Sequence, residues 1–233
     1  MNRWARIIAV AMAALGLGPA VLPPTPAHAQ GIGLPGQNRD TPIEIHADEG
    51  IEWQQDAKAY IARGNARATQ GKVTLHAATL IAYYQDSPRG GTEIWRIDAL
   101  KDVRIVSAEQ TAYGDKGVYD VAKGVMVLTG NTRLVTPTDR ITARDSLEYW
   151  EARALVVARG NAVATRGDRT LRADTLTAHF FKGKDNKSKI NIIRAFDNVI
   201  ITSPKEVVRA RRGVYNLPTG IAVLTGSVKI TRG

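Results

Sequence analysis

Residues 62–84 of this chain read ARGNARATQGKVTLHAATLIAYY, and a related stretch, ARGNAVATRGDRTLRADTLTAHF, follows at residues 158–180. Of the 23 aligned residues 14 are identical, and the offset of 96 continues without a gap on both sides. A fixed offset over a whole copy indicates an internal duplication. The sequence therefore predicts two copies of one unit, residues 42–137 and 138–233, that together form one domain over residues 42–233.

Both copies show the alternation that is typical of half-buried β-strands. Apolar residues recur at every second position, as in residues 73–77 and 103–105, and Thr, Arg, Lys or Asn stand between them. This pattern favours an antiparallel sheet with one covered face, and no stretch keeps a capped helical period beyond about ten residues. Each copy holds three hairpin-sized modules. The Gly-Asn pairs that separate some of them, such as Gly64-Asn65, are either tight turns or sharp bends within a strand, and we favour bends because Gln70-Gly71 already supplies a turn a few residues later.

Residues 1–29 have the features of a secretory signal peptide. Arg3 and Arg6 precede the apolar run of residues 7–17, and residues 27–29 (AHA) form a small-x-small cleavage site. The alternative is an uncleaved membrane anchor, which the short run and the cleavage site disfavour. We therefore expect cleavage after Ala29, export, and a Gly- and Pro-containing linker over residues 30–41.

The composition favours anionic partners and excludes thiol chemistry. The chain has 32 Lys and Arg against 22 Asp and Glu, a net charge of +10, and such a charge attracts lipid head groups, polysaccharide or nucleic acid alike. Basic residues cluster at 182–189 and at 209–212, where they are either anion contacts or ordinary solvated side chains. There is no cysteine, so neither a disulfide framework nor a thiolate metal site is available.

No catalytic or metal-binding constellation is present in the sequence. The histidines after the signal peptide are not paired at metal-ligand spacing, and the serines lack a nucleophile-elbow context. Three acids recur beside the small residue of the module, which favours a structural device at strand ends over a catalytic pair; they are Asp48, Asp145 and Asp174. We expect no catalytic residues, no metal and no cofactor.

Branched aliphatic residues dominate the repeated inward face, and aromatic residues are few. A sheet that curls without covering helices must close on itself or leave an apolar trough, and each buried methylene contributes about 0.8 kcal/mol. A trough of this kind suits acyl chains, whereas a filled core is the alternative reading. The residues expected to line the groove are repeat-equivalent pairs: Ile45 and Ile141, Leu75 and Leu171, Val103 and Val199, Ile105 and Ile201, and Val127 and Val223.

The second copy ends in residues 227–232 (SVKITR), whereas the matching residues 131–136 continue into another module. The last strand is therefore predicted to have an unpaired edge, and exposed edges pair with other chains. The segments expected to make end-to-end contacts are residues 43–47, with Ile43 and Ile45, and residues 228–231, with Val228 and Ile230.

Four short stretches carry a recognisable pattern: IHAD at residues 45–48, LRAD at 171–174, and ARGN at 62–65 and 158–161. In an exported, cysteine-free, all-β chain they resemble the lipopolysaccharide transport protein A (LptA, OstA-like) family over roughly residues 42–233. The resemblance implies a periplasmic, folded-over β-jellyroll whose interior shields lipid A acyl chains. It also implies end-to-end stacking that links an LptC-like inner-membrane partner to an LptD-like outer-membrane translocon. Ala78, Arg144 and Arg211 depart from the pattern, since other modules carry Asp there.

The function predicted from the sequence is that of a lipopolysaccharide carrier and bridge in outer-membrane assembly of a Gram-negative cell envelope, without a reaction of its own and without a nucleic-acid partner. A structural β-protein with a filled interior is one alternative. A polyanion-binding periplasmic module is another, and it predicts binding that falls steeply with salt. A hydrolase that depends on Asp145 or His179 is the third.

Overall fold

A computed structural model describes residues 43–87, 90–107, 110–182 and 188–232. In the first copy the strands are β1 (Glu44–His46), β2 (Gly50–Gln54), β3 (Ala59–Gln70), β4 (Val73–Asp86), β5 (Thr92–Val106), β6 (Thr111–Asp120), β7 (Val125–Thr129) and β8 (Thr132–Val135). In the second they are β9 (Arg140–Ala143), β10 (Ser146–Trp150), β11 (Leu155–Arg166), β12 (Arg169–Lys182), β13 (Ser188–Ser203), β14 (Glu206–Asn216), β15 (Ile221–Thr225) and β16 (Lys229–Arg232), with one short 3-10 helix at Glu151–Arg153.

Strand bounds in the second copy follow those in the first to within one residue of an offset of 96. All strand pairings are antiparallel, so the predicted all-β antiparallel class is confirmed. The predicted signal peptide and linker, residues 1–41, lie outside the described residues.

The sheet is folded over on itself because the long strands change partners halfway along. β3 pairs with β2 through residues 59–63 and with β1 through residues 67–69. β6 likewise pairs with β7 through residues 116–120 and with β8 through residues 111–113. We call the half that contains β2, β7, β10 and β15 the first layer and the half that contains β1, β8, β9 and β16 the second layer; β3–β6 and β11–β14 run through both.

One apolar core lies between the two layers. It joins residues of the first layer, such as Leu80 and Ile97, to residues of the second, such as Leu75 and Ile105. The opposite face of each layer carries most of the charged residues and is open to solvent. The predicted folded-over sheet with an apolar interior is therefore confirmed.

Glycine–asparagine pairs make the bends between the layers, as the sequence predicted. Gly64 and Asn65 have φ of +74° and +44°, and the register between β3 and β4 shifts at this point. Asn65 donates a hydrogen bond to the carboxylate of Asp48 at 2.9 Å, and Asn198 donates one to Asp174 at 2.8 Å. Asp48 and Asp174 therefore stabilise bends, in agreement with the structural role predicted for them, whereas Asp145 accepts hydrogen bonds from the neighbouring Arg144.

Replacing Gly160 by Ala is expected to destabilise the protein strongly. Gly160 has φ of +82°, and a Cβ there would overlap the carboxylate of Asp145. The left-handed backbone alone costs about 1–2 kcal/mol, and the overlap adds to it because the neighbouring segment has to move. Urea unfolding should show a loss in the free energy of unfolding clearly larger than that of Gly167→Ala, where φ is +56° and nothing lies within 4 Å. Equal losses would contradict a close approach at the bend.

Candidate functional site: an apolar groove with open edges

The interior of the second layer carries an unbroken row of apolar side chains from one edge of the molecule to the other. Each member lies opposite the next in a neighbouring strand. The row, called here the interior row, consists of Ile45, Ala68, Leu75, Ile105, Ala112, Leu134, Ile141, Ala164, Leu171, Ile201, Val208 and Ile230. At about 4.8 Å per strand it is roughly 50 Å long. Every member is apolar, so it is a continuous apolar track.

Eight of the ten residues predicted to line the groove face this interior. Leu75, Val103, Ile105, Val199 and Ile201 are buried in the core, and Ile45, Ile141 and Leu171 are partly buried against it. Their position agrees with the predicted inward face. Their contact with lipid remains a prediction.

Val127 and Val223 do not face the interior, and the prediction is wrong for this pair. Val127 stands between the buried residues Met126 and Leu128, and successive side chains of a strand point to opposite faces. Val223 is 52% exposed beside the buried Ala222. Residues 125–128 are apolar at every position, so polarity gives no indication of facing there. Met126 and Leu128, missed by the sequence reading, are the interior residues, and the pairing of Leu128 with Leu147 shows this.

The groove is narrow at the bends and wider at its opposite side, called here the mouth. Next to the bends most interior side chains of the second layer are small, as at Ala66, Ala77, Ala162 and Ala173, with Val103 and Val199 as exceptions. Toward the mouth the first layer contributes large residues, which are Ile97, Tyr119, Met126, Tyr149 and Tyr215. This size gradient gives the interior the form of a wedge whose hinge is the line of bends.

Two cavities of about 30 and 20 Å³ lie between the layers. The first is lined by Ile43 and Val73 from the second layer and by Ile97, Tyr119 and Met126 from the first. Cavities of this size leave the side chains of the two layers in contact, so the wedge is nearly closed.

The rim of the mouth differs between the two copies. At the hairpin tips of the second layer, the inward positions of the first copy are Ile43, Gln70, Val73, Gln110 and Thr136, and the counterparts 96 residues later are Asp139, Arg166, Arg169, Glu206 and Arg232. Arg166 donates to both carboxylate oxygens of Asp139 at 2.6 and 2.8 Å. Burial alone would raise the pKa of Asp139, but the hydrogen bonds and charge of Arg166, with hydrogen bonds from Thr138 and Thr136, lower it. The rim is neutral in the first copy and charged in the second.

Both ends of the folded sheet have open edges. Among the described residues, β1 and β2 pair only with β3, and β15 and β16 pair only with β14. Trp53 in β2 is 56% exposed, whereas its counterpart Tyr149 is 8% exposed; Ile230 in β16 is 36% exposed, whereas Leu134 is 5% exposed. The edge residues are exposed because no strand of the described part of the chain covers them.

The predicted assembly residues lie at these edges. Ile45 is in β1 and Ile230 is in β16, and Ile43 and Val228 directly precede those strands. Their pairing with another chain remains a prediction. The edges of β2 and β15 were missed by the sequence reading, although Ile51 and Ile221 alternate there as in any strand.

The junction between the two copies shows how such edges fit together. β7 pairs with β10, with Val127 opposite Glu148, and β8 pairs with β9, with Leu134 opposite Ile141. Because β15 and β2 are the counterparts of β7 and β10, and β16 and β1 are those of β8 and β9, the two ends of the molecule carry the two halves of the same junction.

A partly buried carboxylate on β10 lies at this junction. Glu148 accepts hydrogen bonds from Arg159 at 2.6 Å, Ser146 at 2.9 Å and Trp150 at 3.0 Å. Burial alone would raise the pKa of Glu148, but these hydrogen bonds and the charge of Arg159 outweigh burial and lower the pKa. At the open edge, the counterpart pair Glu52 and Arg63 is half-exposed at 3.4 Å.

The histidines and basic residues that the sequence suggested as further candidates do not lie together in one site. His46, His76 and His179 lie on three different strands, and in the described part of the chain no group of three or more His, Cys, Asp or Glu could hold a metal. No helix among the described residues is long and apolar enough to cross a membrane. The Lys-rich loop with Lys184 and Lys187 lies outside the described residues, and the side chains of Lys182 and Lys189 are not described. Arg209, Arg211 and Arg212 are exposed.

Comparison with known proteins adds a family relationship to this geometry. The model of the family described as LptA/(LptD N-terminal domain) LPS transport protein matches residues 44–149 and residues 141–233. A curated relative, the uncharacterized protein R00383 of Rhizobium meliloti (strain 1021), is 29% identical over 133 residues, which cover 53% of this chain and 69% of the relative. A solved structure, LptH, the LptA homologous periplasmic component of the lipopolysaccharide transport device from Pseudomonas aeruginosa, has a TM-score of 0.45 at 20% identity, over 53% of this chain and 86% of that one.

Proposed function

The chain belongs to the LptA/(LptD N-terminal domain) family of LPS transport proteins, and from this we propose that it is a periplasmic carrier that holds the acyl chains of lipopolysaccharide between its two layers. The observation that carries the proposal is the interior row, which is apolar at all twelve positions from β1 to β16. A lipid can move along such a track by small steps because neighbouring positions are chemically alike. The relative LptH is itself described as a periplasmic component of lipopolysaccharide transport.

Lipid enters by separating the layers at the mouth. The cavities of about 30 and 20 Å³ are too small for an acyl chain, so Val73 in the second layer must move away from Tyr119 and Met126 in the first. Each methylene that replaces these contacts contributes about 0.8 kcal/mol, which offsets the packing lost on opening. The bends, where Gly64 and Gly160 have positive φ, serve as the hinge line.

Successive protein chains pair end to end through their open edges. β15 and β16 of one chain lie against β2 and β1 of the next chain, in the register of the internal junction. Ile230 then lies opposite Ile45, as Leu134 lies opposite Ile141 within the chain. The interior row continues across the contact, so an array provides one track between an LptC-like inner-membrane partner and an LptD-like outer-membrane translocon.

Site-specific photocrosslinking in cells tests the carrier function. A photoreactive residue at Met126 is expected to form lipopolysaccharide adducts, because this side chain is buried in the groove and lines its cavity. The same residue at Val127, one position along and on the opposite face, is the matched control and is expected to form none. Adducts at neither position, in exported and folded protein, would favour a structural protein with a filled interior. Equal adducts at both would contradict a defined interior track.

A further inference from the structure

A row of basic residues crosses the outer face of the second layer in the first copy. Arg67, His76, Arg104, Tyr113 and Arg133 occupy one position each in β3, β4, β5, β6 and β8, and each lies opposite the next. The three arginines are exposed, and His76 and Tyr113 are half-buried between them. We call these five residues the arginine row.

The arginines of this row are not neutralised by acidic side chains of the described residues. In the described part of the chain none of the three arginines forms an ion pair, whereas other arginines of the sheet do, such as Arg159 with Glu148. Burial lowers the pKa of His76, and the charges of Arg104 and Arg67 lower it further. Like charges on neighbouring strands are destabilising, so the row lacks an anion that would compensate it.

Tyr113 holds one guanidinium in place. The Cζ atom of Arg133 lies 3.9 Å from the centroid of the Tyr113 ring, within the range of a cation–π contact. A guanidinium stacked in this way keeps its N–H groups in its own plane, where they match the oxygens of a phosphate or carboxylate. The neighbouring ring also offers an apolar surface beside the charge, a combination suited to an acidic sugar.

The arginine row lies just outside the mouth of the groove. Arg67 and Arg104 are each three residues from the inward tip residues Gln70 and Ser107, a distance of about 10 Å along a strand. Between the arginine row and the tips, the same outer face carries Thr69, Thr74 and Thr111, with Val106 between the last two. The hairpin tips beyond these residues form the neutral rim of the first copy and line its cavity.

We propose that the arginine row binds the phosphate- or carboxylate-bearing saccharide of the transported lipopolysaccharide, while its acyl chains enter the groove over the neutral rim. The inference rests on the proposed carrier function. An uncharged rim lets the apolar part pass without desolvating an ion, and the exposed arginines then meet acidic groups that remain in water. The head group therefore travels on the outside of the second layer.

The second copy does not repeat the site. At the counterparts of Arg67 and Arg104 stand Val163 and Ile200, which interrupt the remaining basic residues Arg172, Arg209 and Lys229. The rim beneath carries the Arg166–Asp139 ion pair instead of neutral residues. Each chain therefore has one saccharide site, in its first copy.

Binding of purified lipopolysaccharide to a charge-removed variant tests the proposal. The variant Arg67→Gln/Arg104→Gln/Arg133→Gln is expected to bind about tenfold or more weakly at low salt, because three charge-assisted contacts are lost, and to show a shallower dependence on salt. The control Lys116→Gln/Arg153→Gln/Arg212→Gln removes the same charge from exposed positions of the first layer and is expected to bind like the wild type. Equal binding by the two variants would overturn the proposal.

Two further ligands separate this proposal from the carrier function. A fluorescent acyl amphiphile with an uncharged head is expected to bind both variants and the wild type equally, because it uses only the groove. The delipidated acidic saccharide is expected to bind the wild type and not the arginine-row variant. If the wild type bound neither lipopolysaccharide nor the uncharged amphiphile, the carrier function would be contradicted. Binding of the delipidated saccharide would then test the arginine row independently of the carrier function. Unchanged saccharide binding by the arginine-row variant would contradict the proposal that the arginine row binds the saccharide.

Discussion

A protein with Glu52→Cys and Val223→Cys is expected to form a covalent ladder of dimers and longer multimers under mild oxidation. Within the chain, the counterparts Glu148 and Val127 lie directly opposite each other where β10 pairs with β7. If two protein chains meet in the same register, residue 52 of one chain and residue 223 of the other have Cβ atoms about 4.5–5.5 Å apart. Small adjustments then give disulfide geometry. The chain has no cysteine of its own, so every bridge joins two introduced cysteines.

The matched control pairs Glu52→Cys with Ile221→Cys, two residues out of register on the same face. In the transferred register Ile221 lies opposite Gln54, because Val125 lies opposite Trp150, so this pair should crosslink far less. Each single-cysteine variant should stop at dimers at most, and reductant should collapse the ladder. A ladder of equal length from both pairs would show random collision, and no ladder from either would contradict end-to-end pairing through β2 and β15.

A crosslink that holds the mouth closed is expected to abolish lipid binding, and cleavage of the crosslink is expected to restore the binding. Val73 and Met126 line the same cavity of about 30 Å³ from opposite layers. A cleavable bis-maleimide joining Val73→Cys to Met126→Cys holds the layers together, so the acyl chain has no room to enter. Binding of a fluorescent acyl amphiphile, measured before and after cleavage of the linker, should change from nearly none to the level of the uncrosslinked protein.

The control for the lock is a crosslink that leaves the layers free. Gln70 and Val73 lie opposite each other within the second layer, so Gln70→Cys/Val73→Cys with the same reagent fixes one hairpin without joining the layers. This protein is expected to retain lipid binding after crosslinking. Retained binding in the protein locked across the mouth would mean that lipid does not need the layers to separate there.

The sequence by itself determined the duplication, the antiparallel class and most of the interior, and it favoured bends over turns at the Gly-Asn pairs. These features depend on local signals. Alternation with period two places Leu75 and Ile105 on one face, and a glycine followed by asparagine permits the positive φ that turns a strand over. The family resemblance, carried by short stretches around Asp48, Asn65 and Asp174, is confirmed by the family match over residues 44–233.

The side of the sheet on which a side chain lies could be predicted only where polar and apolar residues alternate. Residues 125–128 are apolar throughout, so the facing of Val127 and its counterpart Val223 follows from strand pairing and not from the local pattern. Leu128 faces the interior because it lies opposite Leu147, a contact between residues of different copies.

Only the tertiary structure decided which exposed residues stand side by side. Arg67, Arg104 and Arg133 are far apart in sequence, and they share one row because the pairing of β4 with β5 places His76 opposite Arg104 and the pairing of β6 with β8 places Tyr113 opposite Arg133. The folding-over likewise set the closed mouth and the contrast between its neutral and charged rims. A local pattern fixes the face on which a side chain lies, whereas its neighbours across strands depend on the pairing of residues distant in the chain, which no local signal specifies.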